Sequence, residues 1–124
     1  MLWSNPDTSH ARGKVTEDFA EKYLIQQGLI PIGKNIHCRQ GEVDIVMRDG
    51  DTYVFVEVKY RKNNTFGSAV EMVSVAKQNK IRHCVAFFFH QTNLNEYNTP
   101  CRFDVIALDG NINHPQVTWL KNAF

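Results

Sequence analysis

Two alternating runs, Gly41 to Arg48 and Thr52 to Arg61, flank the dipeptide Asp49-Gly50. In the first, Val43, Ile45 and Met47 alternate with Glu42, Asp44, Val46 and Arg48. In the second, Val54, Val56, Val58 and Tyr60 alternate with Tyr53, Phe55, Glu57, Lys59 and Arg61. Period-two patterning with Asp-Gly between the runs predicts an antiparallel hairpin. The second run is apolar on both faces near its start, which places it centrally in a sheet.

The hairpin also carries the chain's chemistry. Side chains two apart on a strand share a face, so Glu57, Lys59 and Arg61 point the same way. Register decides whether Asp44 joins them. The Asp-Gly dipeptide favours a two-residue loop, which pairs Asp44 with Phe55 and sets it one diagonal step from Glu57. A four-residue loop sets Asp44 directly opposite Glu57; a three-residue loop sends the carboxylates to opposite faces. Carboxylates this close repel unless a positive group lies between them. A divalent cation with oxygen ligands, magnesium or manganese, suits that position. Asp44 and Glu57 are then metal ligands, with the backbone carbonyl of Val58 as a further one. Lys59 is placed to orient an attacking water or stabilise transition-state charge, and Arg61 to contact phosphate. The plain alternative is a solvated sheet face carrying a Glu–Lys pair.

Around the hairpin, the pattern predicts a loose arm at residues 1–12 and one domain over 13–124, with a helix from Lys14 to Gln27 stopped at Gly28. A short strand is expected around Pro31 to Ile36. A long helix from Ala69 or Ser74 to His90, a strand over Arg102 to Leu108 and a last strand at Gln116 to Leu120 complete the chain. This order predicts an α/β domain with a mixed sheet of about five strands flanked by helices. In the long helix, Lys77 falls within the apolar stripe of Val73, Ile81, Cys84, Val85 and Phe88. A lysine there snorkels, pairs with an acid or marks the end of the buried face; if the helix starts at an N-cap Ser74, Lys77 ends in water.

Composition narrows the partners. A net charge of +1 means that nucleic-acid affinity must come from a local patch, such as Lys59, Arg61 and Lys62 or Lys77, Lys80 and Arg82. Three widely spaced cysteines, Cys38, Cys84 and Cys101, argue against a disulfide framework or zinc site, and Cys84 reads as a core residue. Phe87 and Phe89 read as core or as a dimer interface, and Asp104 as structural. The longest apolar run, Val85 to Phe89, is too short to span a bilayer, and the N-terminus lacks signal-peptide character. A cytoplasmic location, with no membrane and no small-molecule cofactor, is the expectation.

Asp44 followed by Glu57-Val58-Lys59 resembles the Asp…(Asp/Glu)-x-Lys motif of restriction-endonuclease-like proteins, with Val43 where proline often stands. The wider set is similar to the bacterial YraN (UPF0102) family from about Gly13 to Phe124. It comprises Gly41-Glu42-Val43-Asp44, Val54 to Arg61, Phe66-Gly67, Lys77, Arg102-Phe103-Asp104-Val105 and Asn122-Ala123-Phe124. The resemblance implies a restriction-endonuclease-like fold related to archaeal Holliday-junction resolvases. It further implies metal-dependent endonuclease activity on structured or branched DNA, and a homodimer to match a two-fold junction. It brings in Glu17 as a helical carboxylate beside the metal and raises a phosphate-binding role for Lys77; Lys62, in the basic group with Arg61, is a further nucleic-acid contact expected from that cluster. A non-catalytic nucleic-acid-binding scaffold and an RNA-processing enzyme remain the alternatives.

Overall fold

The structure, a computed structural model, describes residues 9–39, 41–63 and 73–124, with side chains from residue 13 onward. Most of the expected arm, residues 1–8, the Phe66-Gly67 loop and a helix start at Ala69 all lie outside the described residues.

The element order is α1 (Ser9–Gln26), β1 (Ile30–Cys38), β2 (Gly41–Asp49), β3 (Thr52–Arg61), α2 (Val75–Gln91), β4 (Cys101–Asp109) and β5 (Gln116–Leu120). The first helix therefore begins ahead of the expected Lys14 and takes in residues 9–12 of the expected arm. Gly13 sits inside it. Its end is as expected. Gly28 takes a φ of +97°; its amide donates to the Ile25 carbonyl, and the Leu29 amide to that of Leu24. These two bonds form a Schellman cap, and buried Leu24 and Leu29 meet across it.

All five strands form one sheet in the order β1-β2-β3-β4-β5. Neighbours are antiparallel except β3 and β4, which are parallel. A parallel pair needs a crossover, and α2 lies on it. The central position of β3 follows its two apolar faces. Strand parity divides the core. Ile45, Met47, Val54, Val56, Ile106 and Leu108 pack with Ala20 and Leu24 of α1. On the other face, Val46, Phe55, Val105 and Ala107 pack with Ile81, Cys84, Val85, Phe88 and Phe89 of α2. The sheet thus carries a helix on each side. Of the two roles expected for Phe89, core is the one it takes: it is buried at 3% exposure, its ring packed on Tyr53 and Phe55.

The expected register is corrected. Asp49 pairs with Thr52 and Ile45 with Val56, so the loop is Gly50-Asp51 rather than Asp49-Gly50. Gly50, with φ of +59°, occupies the first loop position, where a positive φ favours glycine. Continued by one pair, this register sets Asp44 directly opposite Glu57.

A second correction concerns the cysteines. Cys38 and Cys84 form a disulfide with Cα atoms 5.4 Å apart, while Cys101 is free and exposed. Sequence separation hid the pair, because only the docking of α2 on the β1–β2 hairpin brings them together.

Candidate functional site

Beyond Ile45 and Val56, strands β2 and β3 stop pairing with each other, while β3 continues to pair with β4 as far as Arg61. A fork opens on the β2 side of β3. The Val58 amide, without a strand partner there, donates to Asp44 Oδ2 at 2.9 Å. Asp44 thus replaces a ladder bond and is anchored beside Glu57.

Both carboxylates are buried, Asp44 at 7% exposure and Glu57 at 3%. Burial first and the negative charge of Glu57 second push the Asp44 carboxyl up to about 7, with the Val58 amide and Lys77 pulling the other way. Glu57 faces α2. Its Oε1 lies 2.8 Å from Lys77 Nζ and 3.6 Å from Lys59 Nζ. Its Oε2 is buried and has no hydrogen-bond partner among the described residues. Burial disfavours the Lys77 ammonium, but the Glu57 hydrogen bond and charge outweigh it and hold its pKa above the usual lysine value.

The Ser74 cap and the pairing of Lys77 with an acid both hold. Ser74 is the N-cap, its hydroxyl accepting from the Lys77 amide at 3.1 Å. From that first turn the Lys77 side chain turns inward to Glu57 instead of ending in water. The sign of this contact was hidden in the sequence, because it depends on where α2 crosses the sheet.

Glu17 approaches from α1. Burial raises its pKa, the Asn35 side chain opposes by hydrogen bonding, and Glu42 and Glu57 add repulsion. Glu17 borders a cavity of about 520 Å³ between α1 and the β1–β2 hairpin, shared with Asp18, Lys34, Asn35, His37 and Glu42. It acts on the acid pair electrostatically. Among the described residues, however, no group of three His, Cys, Asp or Glu side chains could hold a metal ion. Glu17 therefore does not close with Asp44 and Glu57 into a three-carboxylate chelate.

The expected phosphate contacts differ in their engagement. Arg61 is held by Asp109 through Nε at 2.6 Å and Nη2 at 2.9 Å, its partner in the β3–β4 register. Those two donors are engaged at the sheet edge. Lys62, just beyond β3, is exposed. Glu42 lies 3.3 Å from His37 Nδ1.

Asp104 has the structural role expected of it. Fully buried, it accepts from Arg102 Nε, from Trp119 Nε1 at 2.9 Å and from the Asn122 amide at 2.9 Å. The Asn122-Ala123-Phe124 ending is likewise structural. The Ala123 amide donates to the Phe103 carbonyl, Phe124 stacks on Phe103, and Arg82 lies over both rings. Trp119 is thus one of the donors to Asp104.

The fork fits a cation that needs few protein ligands. Magnesium takes one or two carboxylates and completes its shell with water and substrate oxygens. Asp44 and Glu57 supply two carboxylates, and Glu57 Oε2 is an orphaned oxygen in a buried setting. Among the described residues, no helix is long and apolar enough to cross a membrane.

The chain is similar along its whole length to a UPF0102 protein of Colwellia psychrerythraea, 59% identical over 129 residues and covering all of both chains. A UPF0102 protein of Aeromonas hydrophila is 42% identical over 98% of this chain and 92% of its own. One of Pseudomonas fluorescens is 44% identical over 96% and 98%. Residues 16–108, which hold Glu17, the fork and Lys77, match the profile of the uncharacterised protein family UPF0102, and the chain belongs to that family.

Proposed function

We propose that this protein is a magnesium- or manganese-dependent endonuclease that hydrolyses phosphodiester bonds in structured or branched DNA. One observation carries the reading: two buried carboxylates, Asp44 and Glu57, meet at the β2–β3 fork with Lys59 and Lys77 beside them. Asp44, Glu57 and the Val58 carbonyl would hold the cation, which when bound supplies Lewis acidity toward a phosphoryl oxygen. Lys59, held 3.6 Å from Glu57, is positioned to orient water or meet negative charge developing on phosphorus. Lys77 neutralises Glu57 while the site is empty of substrate and can turn to a phosphate when substrate binds. Glu17 keeps the approach from α1 acidic, and exposed Lys62 meets backbone phosphate. The mixed sheet between two helices is consistent with a restriction-endonuclease-like arrangement. The preference for branched DNA, and a homodimer to match its symmetry, rest on the likeness to resolvases described above.

A second reading draws on the Lys77–Glu57 pair itself. An ammonium 2.8 Å from the carboxylate already provides a positive charge, so the fork could persist in a DNA-binding scaffold without catalysis. The deciding experiment is a cleavage screen over junction, flap, linear and single-stranded substrates with magnesium or manganese, on the wild type and Glu57→Gln. The nuclease reading expects cation-dependent cutting that Glu57→Gln abolishes while the protein stays folded. Cutting retained by Glu57→Gln removes the proposed role. No cutting, with no manganese binding that depends on Asp44 and Glu57, favours the scaffold.

A further inference from the structure

The Cys38–Cys84 bridge spans 46 residues of sequence, and Asp44, Glu57, Lys59 and Lys77 all lie between its ends. Cys38 closes β1 opposite Gly41, and Cys84 is fully buried within α2. The bridge fastens that helix to the end of the β1–β2 hairpin. Lys77 stands seven residues before Cys84, two turns back on the same side of the helix. The turn between them lies close against the hairpin: a Cβ on Gly41 would lie 3.2 Å from Lys80 Cβ and 3.9 Å from the Cys84 sulfur. The other end of α2 has its own anchorage, Phe88 and Phe89 against Tyr53 and Phe55. The bridge fastens the middle of α2, between Lys77 and the phenylalanine anchorage.

We propose that Cys38 and Cys84 form a reversible thiol–disulfide clamp that sets how firmly α2 holds Lys77 against Glu57. The co-reactant is a low-molecular-weight disulfide such as oxidised glutathione. Cys38, only partly buried, is the sulfur within its reach. The Cys38 thiolate attacks one sulfur of the small disulfide and displaces a thiolate. The Cys84 thiolate then attacks the Cys38 sulfur of the mixed disulfide and displaces the second. Two protein thiols are oxidised to one disulfide, the small disulfide is reduced to two thiols, and the two protein protons pass to the departing thiolates. Excess small thiol reverses both steps. Closed, the clamp keeps Lys77 on Glu57; open, it leaves the ion pair and the buried Ile81 to hold that part of the helix. This concerns the ion pair itself and stands whether or not the fork cleaves phosphodiesters.

The test compares full-length protein equilibrated with oxidised or reduced glutathione. Peptide mass mapping reads the Cys38–Cys84 link and separates it from glutathione on exposed Cys101. A short pulse of acetic anhydride then reads the reactivity of Lys77 against Lys22, an exposed lysine on α1. Acetylation of Lys77 should be several-fold slower in the linked form than in the reduced form, with Lys22 equal in both. Cys38→Ser should show the fast rate under either condition; if it folds poorly, the two wild-type states carry the comparison alone. Cysteines that stay unlinked in oxidised glutathione, or a Lys77 rate indifferent to the link, would overturn the clamp.

Discussion

Lys77 Nζ lies 2.8 Å from Glu57 Oε1, joining the first turn of α2 to the central strand. Glu57 is almost fully buried, whereas the Lys77 side chain keeps 39% exposure. Removing the lysine therefore harms the pair mainly through Glu57, which is left with Lys59 at 3.6 Å. Lys77→Met should destabilise the fold by about 1–3 kcal/mol, less than for a fully buried pair because solvent reaches the ammonium. A double-mutant cycle with Glu57→Gln, read by urea unfolding, checks this. The double variant should recover most of the loss, and additive losses would show that the pair carries no coupling.

Asp44 makes the cation-free protein sensitive to pH. Its folded carboxyl titrates at about 7 against an ordinary value of 3.8, so between those values the folded state binds more protons than the unfolded state. Stability then falls as pH rises from about 4 to 7 and levels off above. The drop from this group is on the order of 2–4 kcal/mol. Urea midpoints at pH 5 and pH 8 in a chelator should differ in that sense. Asp44→Asn, whose amide oxygen can still accept from Val58, should lose most of the difference. An equal slope in both proteins would place the titration elsewhere.

The same carboxyl predicts how a cation binds. Ligation needs the ionised form, so manganese should bind more tightly at pH 8 than at pH 6 and release protons where Asp44 is partly protonated. Ligand at a hundred times its Kd raises stability by about 2.7 kcal/mol. Thermal unfolding with and without manganese should show a stabilising shift that grows with pH. The shift should vanish in Asp44→Asn and Glu57→Gln. A shift kept by both variants would locate the ion at another site.

Side-chain parity made much of this legible. Two alternating runs were enough to put Asp44, Glu57 and Lys59 on one face, and they did so despite the register error. Pairing shifted by two positions exchanges one same-face neighbour for another. What stayed hidden depends on how separate elements dock. Lys77 reaches Glu57, and Cys84 reaches Cys38, only because α2 lies against the hairpin near Gly41. That Arg61 meets Asp109 follows only from the parallel register of β4. The helix start expected at Lys14 came late because apolar spacing marks only the part of a helix that packs, and α1 runs on from Ser9.

Asp104 gives a prediction about the fold that leaves the fork aside. Its side chain lies on the α1 face of β4, the face of Ile106 and Trp119. There one fully buried carboxylate gathers the Arg102 guanidinium, the Trp119 indole and the Asn122 amide. Arg102 also reaches Asp49 at 3.0 Å, tying the hairpin end of β2 to β4. Asp104→Ala would leave a largely buried cation with Asp49 alone and two further donors unpaired. The expected cost is about 3–5 kcal/mol. Asp104→Asn keeps the shape and one acceptor but turns an NH₂ toward donors, so it should cost less than alanine yet remain measurable. Urea unfolding followed by Trp119 fluorescence checks both. Manganese affinity of the folded fraction should be unchanged, because Asp104 faces away from Asp44 and Glu57. A loss below about 1 kcal/mol for the alanine variant would mean that water satisfies these donors and that the network is not what holds the C-terminal strand to the sheet.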